Sequence, residues 1–192
     1  MEKHYLFKSG NPFDRIAFED TLGFLGVKDV TYFSPTEGMF LADSTLFAEL
    51  VSQLPIMRED LGVSFSFLIS HESTGLEKKL LEEAFCYFPN QALFPTDVLL
   101  HEMSFGDYSS YPILKEKFRN VPSDLLLSVG TYLRCGLDAK LAAKTLFIHR
   151  NTFLYRLNRF IEITNLDIRD YHNALFLELY FQLEHGFLPT RS

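Results

Sequence analysis

The chain has 192 residues, 47% of them hydrophobic and 22% charged, with 20 Phe and no Trp. This is ordinary globular usage, apolar enough to close a core, and it excludes a disordered or low-complexity chain. The formal net charge of −7 excludes a surface that is basic overall.

The charge is unevenly placed. Residues 1–120 hold ten Lys and Arg against 18 Asp and Glu, whereas 121–192 hold eight against seven. Over 138–160, Lys140, Lys144, Arg150, Arg156 and Arg159 face only Asp138. The acid therefore lies in the first part and the base in one short segment. The change falls at Asn120-Val121-Pro122, which divides the chain into a domain over 1–120 and a second over 121–192.

In chain order, Met1 to Lys8 mixes charge with Tyr and Phe and has no leader-like apolar run. No stretch reaches the roughly 18 apolar residues a membrane span needs, so a cytoplasmic protein is expected. Asp14–Leu25 has apolar residues at helical spacing (Ile16, Phe18, Leu22, Leu25) and stops near Gly26. Val30–Phe33 and Met39–Ala42 read as two strands of a hairpin joined by Ser34-Pro35-Thr36-Glu37-Gly38. Ser44 is placed to cap a helix through Leu54. Gly62–Ser70 reads as a strand, Thr74–Phe88 as a helix and Ala92–Phe94 as a short strand. The first part is then a small α+β domain with helices on one face of a sheet.

The second part reads as all helix. Ser123 caps a helix over Asp124–Arg134, with Gly136 as its stop. Asp138 caps a short helix, Ala139–Thr145. After a turn at Leu146–Ile148, a longer helix runs from about His149 to Ile163. Asp170 caps a final helix ending near Gly186. Its apolar residues Leu175, Phe176, Leu179, Tyr180 and Leu183 are expected to cover the core, with a remainder for a dimer contact.

Cys86 and Cys135 form neither a CxxC nor a metal spacing and read as free thiols of a reducing compartment. No metal and no other cofactor is expected. A P-loop, a nucleophile elbow and HExxH are all absent, and the six His are scattered, so an enzyme is not expected.

Two short helices joined by a tight turn, the second polar and basic on its outer face, form the geometry that enters a major groove. At about 100° per residue, Phe153, Leu157, Phe160 and Thr164 share one sector of the helix that starts near His149. The opposite sector holds Asn151, Thr152, Tyr155, Asn158 and Arg159, all able to donate or accept hydrogen bonds. Arg150 and Arg156 flank the apolar stripe and can reach phosphates. Each has a plainer reading: a solvated helix face, a capping His149, an Arg159 paired with Glu162 or Asp167.

The run Leu141-Ala142-Ala143-Lys144-Thr145-Leu146-Phe147-Ile148-His149-Arg150-Asn151-Thr152-Phe153-Leu154-Tyr155-Arg156-Leu157-Asn158-Arg159-Phe160, continued by Thr164-Asn165-Leu166-Asp167-Ile168-Arg169-Asp170, resembles the C-terminal helix-turn-helix of the PucR/CdaR (sugar diacid regulator) family. That family's pattern is about A-x-x-L-x-[VI]-H-R-N-T-[LV]-x-Y-R-L-x-[RK]-[IF], followed by T-G-L-D-L-R-D. The resemblance covers about Leu125 to Leu183, and the module is also similar to the Fis-type helix-turn-helix. It implies DNA contact by Lys144, His149, Arg150, Asn151, Thr152, Tyr155, Arg156, Asn158 and Arg159. The sequence departs from the family at Leu154 and Asn158, where Arg is frequent. Two fewer cations weaken phosphate attraction. Asn165 stands where Gly is common, and Asn tolerates the left-handed backbone such a turn needs.

The first part resembles a degenerate GGDEF-like domain, through Gly62-Val63-Ser64, Thr74-Gly75-Leu76 and Glu82-Glu83-Ala84. The hairpin turn lacks the paired acids that hold metal and nucleotide phosphate, so cyclase activity is not expected. Glu37 and Asp43 read as solvated loop acids.

The resulting expectation is a DNA-binding transcriptional regulator acting as a homodimer on double-stranded DNA. The alternative is a protein-interaction module that keeps the helix-turn-helix shape and has lost DNA binding. No residue pattern names a small-molecule effector. The first domain is read as a dimerisation platform, with a pocket between its sheet and the Phe-rich helices as the place for an effector if there is one.

Overall fold

The computed structural model describes residues 2–184. The chain divides at Ser110/Tyr111 into two units, each with its own core.

The first unit runs β1 (Glu2–Ser9), α1 (Arg15–Phe24), β2 (Val30–Tyr32), β3 (Glu37–Asp43), α2 (Leu46–Leu61), β4 (Phe65–Ser70), α3 (Gly75–Tyr87), β5 (Ala92–Leu93) and α4 (Pro95–Ser104). The sheet order is β2-β3-β1-β4-β5. β1 is antiparallel to both neighbours, with Tyr5 opposite Phe40 and Ile69, and Phe7 opposite Gly38 and Phe67. The first four strands and two helices form the split βαβ arrangement of ferredoxin-like folds.

Helices lie on both faces of this sheet, where the sequence suggested one. Tyr5, Phe7, Phe40, Phe65 and Phe67 share a core with Phe18 and Leu22 of α1 and with Leu46, Leu50, Leu54 and Met57 of α2. Phe18 lies 4.9 Å from the Phe7 ring and stacks on Phe65 at 5.0 Å. These rings fill the space between the sheet and α1 that the sequence marked for an effector. Strand alternation turns Leu6 and Leu68 to the other face, where they are equally buried. There α3 supplies Leu76, Leu80, Leu81 and Ala84, and its Glu82 pairs with Lys8 at 2.7 Å.

The hairpin joins β2 and β3, and of the two acids read as solvated loop residues Asp43, at the end of β3, is exposed whereas Glu37 is not. Glu37 lies in β3 and bonds Lys8, and Asp43 accepts the Thr45 N–H at 3.0 Å. α2 starts after Thr45 and continues past Pro55, which stands on its exposed side. α4 starts at Pro95, with the Asp97 carboxylate accepting the Phe94 N–H at 2.7 Å.

On α4, Glu102 is 4% exposed. It accepts hydrogen bonds from the Ser110 hydroxyl and from Lys79 at 3.1 Å. Burial first, and its bond to Glu83 second, push the Glu102 carboxyl up to about 7. The carboxylates of Glu83, Glu102 and Asp107 converge within 4.8 Å. The Lys79 ammonium already provides the cation, binding Glu83 and Glu102 and reaching Ser109 and Ser110 at 2.9 and 2.8 Å.

The second unit is helical: α5 (Tyr111–Phe118), α6 (Ser123–Arg134), α7 (Ala139–Thr145), α8 (Arg150–Thr164) and α9 (Tyr171–Glu184). α5, which the charge pattern left with the first part, packs on α9. The Phe118 ring lies 4.5 Å from Tyr180 and 6.3 Å from Phe176, and Lys115 pairs with Glu184 at 2.8 Å. The expected helix end at Gly186 lies outside the described residues. Among the described residues no helix is long and apolar enough to cross a membrane.

Candidate nucleic-acid interface

Three helices build the site. α6 ends at Arg134, and Gly136 and Leu137 both take left-handed backbone, which reverses the chain. The Asp138 carboxylate then accepts the N–H groups of Lys140 at 2.8 Å and Leu141 at 3.0 Å. These bonds hold Asp138 below the usual carboxylate range and start α7. Ala142 and Ala143 are buried, and their small side chains let α7 lie close to α8.

The turn from α7 to α8 is tight. The N–H of Phe147 donates to the Lys144 carbonyl at 3.1 Å, and that of Ile148 to the Ala143 carbonyl at 3.1 Å. Phe147 carries φ 55° and is 96% exposed. His149 follows in extended backbone and caps α8, its Nδ1 accepting the Asn151 N–H at 3.2 Å.

α8 is anchored from beneath. Phe153, Leu157 and Phe160 are buried, with the Phe153 ring 5.8 Å from Tyr132 of α6. Thr164 is half-buried and donates back to the Phe160 carbonyl. The opposite side is open: Lys144, His149, Arg150, Asn151, Thr152, Tyr155, Asn158 and Arg159 are all exposed. Of the nine nominated residues, Arg156 alone is half-buried, its Nε 3.2 Å from the Asp124 Oδ2 of α6. Arg159 pairs with Glu162 at 2.9 Å. Among the described residues Lys140, Lys144 and Arg150 have no ion-pair partner, and they bracket the entry to α8.

α8 ends at Asn165, whose φ of 55° is the left-handed state expected of Asn there. Leu166 and Ile168 drop back into the core. The Asp170 carboxylate accepts the Asn173 N–H at 3.1 Å and so starts α9. The residue the sequence passed over is Phe147. Its signal was an aromatic side chain in a turn where a polar or glycine residue is the norm.

Comparison with known proteins agrees with this geometry. Residues 125–183 match the PucR C-terminal helix-turn-helix domain. The carbohydrate diacid regulator of Escherichia coli (strain K12) is 32% identical over 126 residues, 64% of this chain and 32% of that protein. The proline-responsive transcriptional activator PutR of Bacillus subtilis (strain 168) is 36% identical over 69 residues, 35% of this chain and 17% of that protein. The alignments thus span about a third or less of these relatives. A crystal structure of a regulator of polyketide synthase expression from Bifidobacterium adolescentis aligns with TM-score 0.48 at 19% identity, over 96% of this chain and 81% of that one, a likeness too loose to argue from. Residues 125–183 thus match a PucR-type C-terminal helix-turn-helix, and it is over this module and part of the preceding chain that the protein is similar to these named regulators.

Proposed function

We propose that the chain binds double-stranded DNA through α8 in the major groove, and that two copies act together on two half-sites. The observation that carries this is the open polar face of α8, with Asn151, Thr152, Tyr155 and Asn158 exposed above a sealed stripe of Phe153, Leu157 and Phe160. Lys144 and Arg150, which form no ion pair among the described residues, although the Arg150 charge helps to lower the Asp138 carboxyl, are placed to meet phosphates where the helix begins. Asn and Tyr donate and accept on base edges. One such helix reads few base pairs, so specific binding calls for a second copy about one helical turn, roughly 34 Å, away. An apolar groove of about 370 Å³ between α6 and α9, lined by Leu126, Leu127, Gly130 and Phe181, is a surface that such a copy can cover. The relatives are named as regulators, which supports binding rather than catalysis as the chain's role.

A second reading, a helix-turn-helix that binds protein instead, is favoured by the pairing of Arg156 with Asp124 and Arg159 with Glu162, which takes two cations from the DNA face. Titration of random duplex at about 50 mM salt separates the two, since charge-driven binding is strongest there. Retardation at low salt, weakened by Arg150→Ala and Lys144→Ala with a salt slope smaller by about one unit each, supports DNA binding. No retardation at low salt supports the protein-binding module. Asn151→Ala is expected to alter base preference while leaving the slope unchanged.

A further inference from the structure

We propose that Phe147 is a base-reading residue whose ring packs on a thymine methyl group in the major groove, next to the bases read by the first turn of α8. The proposal rests on the DNA-binding reading above.

Two independent features of Phe147 need a cause. It is 96% exposed, the most of any large apolar side chain among the described residues. Its backbone is also left-handed, at φ 55°. That region is costly for a residue with a bulky Cβ substituent, and Gly or Asn relieves it. The same chain places Asn at Asn90 and Asn165, and Gly at Gly26, Gly62, Gly106 and Gly136, in this state. Leu137 is the other apolar exception, and at 41% exposure it is substantially covered. Phe147 thus bears backbone strain and shields none of its ring from water. The left-handed backbone closes α7, through the Phe147 and Ile148 N–H bonds to the Lys144 and Ala143 carbonyls. Gly or Asn would close it without strain, so the Phe side chain itself helps neither the turn nor the core, and strain of this kind is held where a site uses it.

Its place in the chain names the occupant. Phe147 is two residues before the His149 cap and, at 3.8 Å per residue, no more than about 11 Å from Arg150. It stands at the end of α8 that presents Arg150, Asn151 and Thr152. A large apolar ring beside cations and amide groups matches one feature of a major-groove edge. Thymine alone shows a methyl group there, and apolar side chains, Phe included, read it. An uncharged contact adds affinity without releasing counterions.

The test is selection of binding sites from randomised duplex with wild type, Phe147→Ala and Phe147→Gly, followed by mobility shifts on the selected site with single thymines replaced by deoxyuridine. Wild type should require thymine at one position flanking the Asn151-dependent bases and lose affinity several-fold when its methyl is removed. Both variants should lose that preference, bind several-fold more weakly and keep the wild-type salt slope. Phe147→Gly should also melt at a higher temperature than wild type, which separates lost contact from lost fold. Variants that select the same site with the same affinity overturn the proposal, as does a uniform loss with base preference intact. A change in sedimentation with base preference intact assigns Phe147 to a protein contact and overturns it too. Wild type that retards no duplex at low salt sinks the DNA reading itself, whereas wild-type binding with unaltered variants sinks the Phe147 proposal alone.

Discussion

Arg156 of α8 is tied to Asp124 at the start of α6, with its Nε 3.2 Å from the carboxylate Oδ2. The bond joins α8 to the start of α6, so the residue nominated for a phosphate is held by a carboxylate of the neighbouring helix. The carboxylate is half-exposed, so the pair contributes at most about 1 kcal/mol to stability. Asp124→Asn releases the guanidinium and removes a negative charge from the site. Affinity for duplex at low salt is expected to rise a few-fold and the salt slope to steepen. If Arg156 served packing alone, Asp124→Asn would lower the melting temperature and leave DNA affinity where it was.

The cap of α8 separates structure from contact in the same way. His149 accepts the Asn151 N–H through Nδ1, which leaves Nε2 on an exposed ring. Losing the cap in His149→Ala should cost about 1 kcal/mol, whereas His149→Ser supplies a better capping oxygen and should restore stability. DNA affinity that returns with Ser identifies His149 as a cap only. Affinity that stays low in a stable Ser variant shows that the ring touches DNA. Melting curves and mobility shifts on the same three proteins decide it.

The helical unit was legible because its buried stripe follows the helix period within each element, and because Asp138, His149 and Asp170 announce helix starts where they occur. The sheet was half legible. β1 is its central strand, yet Lys3, His4 and Lys8 interrupt the apolar run over Tyr5, Leu6 and Phe7. Lys3 is buried with a bond to His71 at 3.1 Å, and Lys8 is half-buried with bonds to Glu37 and Glu82, partners far off in sequence. The helix expected through Leu54 runs on to Leu61, because Pro55 on its exposed side removes one hydrogen bond without forcing an end. In the site, exposure could be read from helical position. The capture of Arg156 by Asp124 and the strain at Phe147 could not, since both arise from how α6 and α7 pack around α8.

Glu102 links the first unit to pH. Its carboxyl is raised from 4.5 to about 7, chiefly by burial and then by Glu83. A carboxyl raised in the fold holds its proton more tightly there than in the unfolded chain. Below about pH 4.5 both states are protonated and stability is unaffected. Between about 4.5 and 7 the unfolded chain ionises first, so the fold loses stability as pH rises, and above about 7 the loss is constant. Glu102→Gln keeps an acceptor for Lys79 and Ser110 and removes the titration. Its urea midpoint should exceed that of wild type at pH 8 and approach it at pH 4. Parallel profiles for the two proteins would refute this assignment.

Gly38 tests the aromatic core directly. It faces Phe7 across the β1–β3 ladder, and a Cβ built there would lie 2.4 Å from the Thr31 carbonyl oxygen and 2.6 Å from the Phe7 ring. The carbonyl belongs to the neighbouring β2 strand and cannot step aside without breaking the hairpin. The ring is held from below by Phe18 at 4.9 Å and from the side by Tyr32 at 5.9 Å. Gly38→Ala therefore forces a backbone shift in a packed core, at a cost of about 1–3 kcal/mol. Because Gly38 lies wholly in the first unit, hydrogen exchange should quicken at Phe7, Phe40 and Phe67 and stay unchanged at Phe153 and Leu157 of α8. Unaltered protection in β1 and β3 would mean that Phe7 can move away, and that the ring stack is looser than its distances imply.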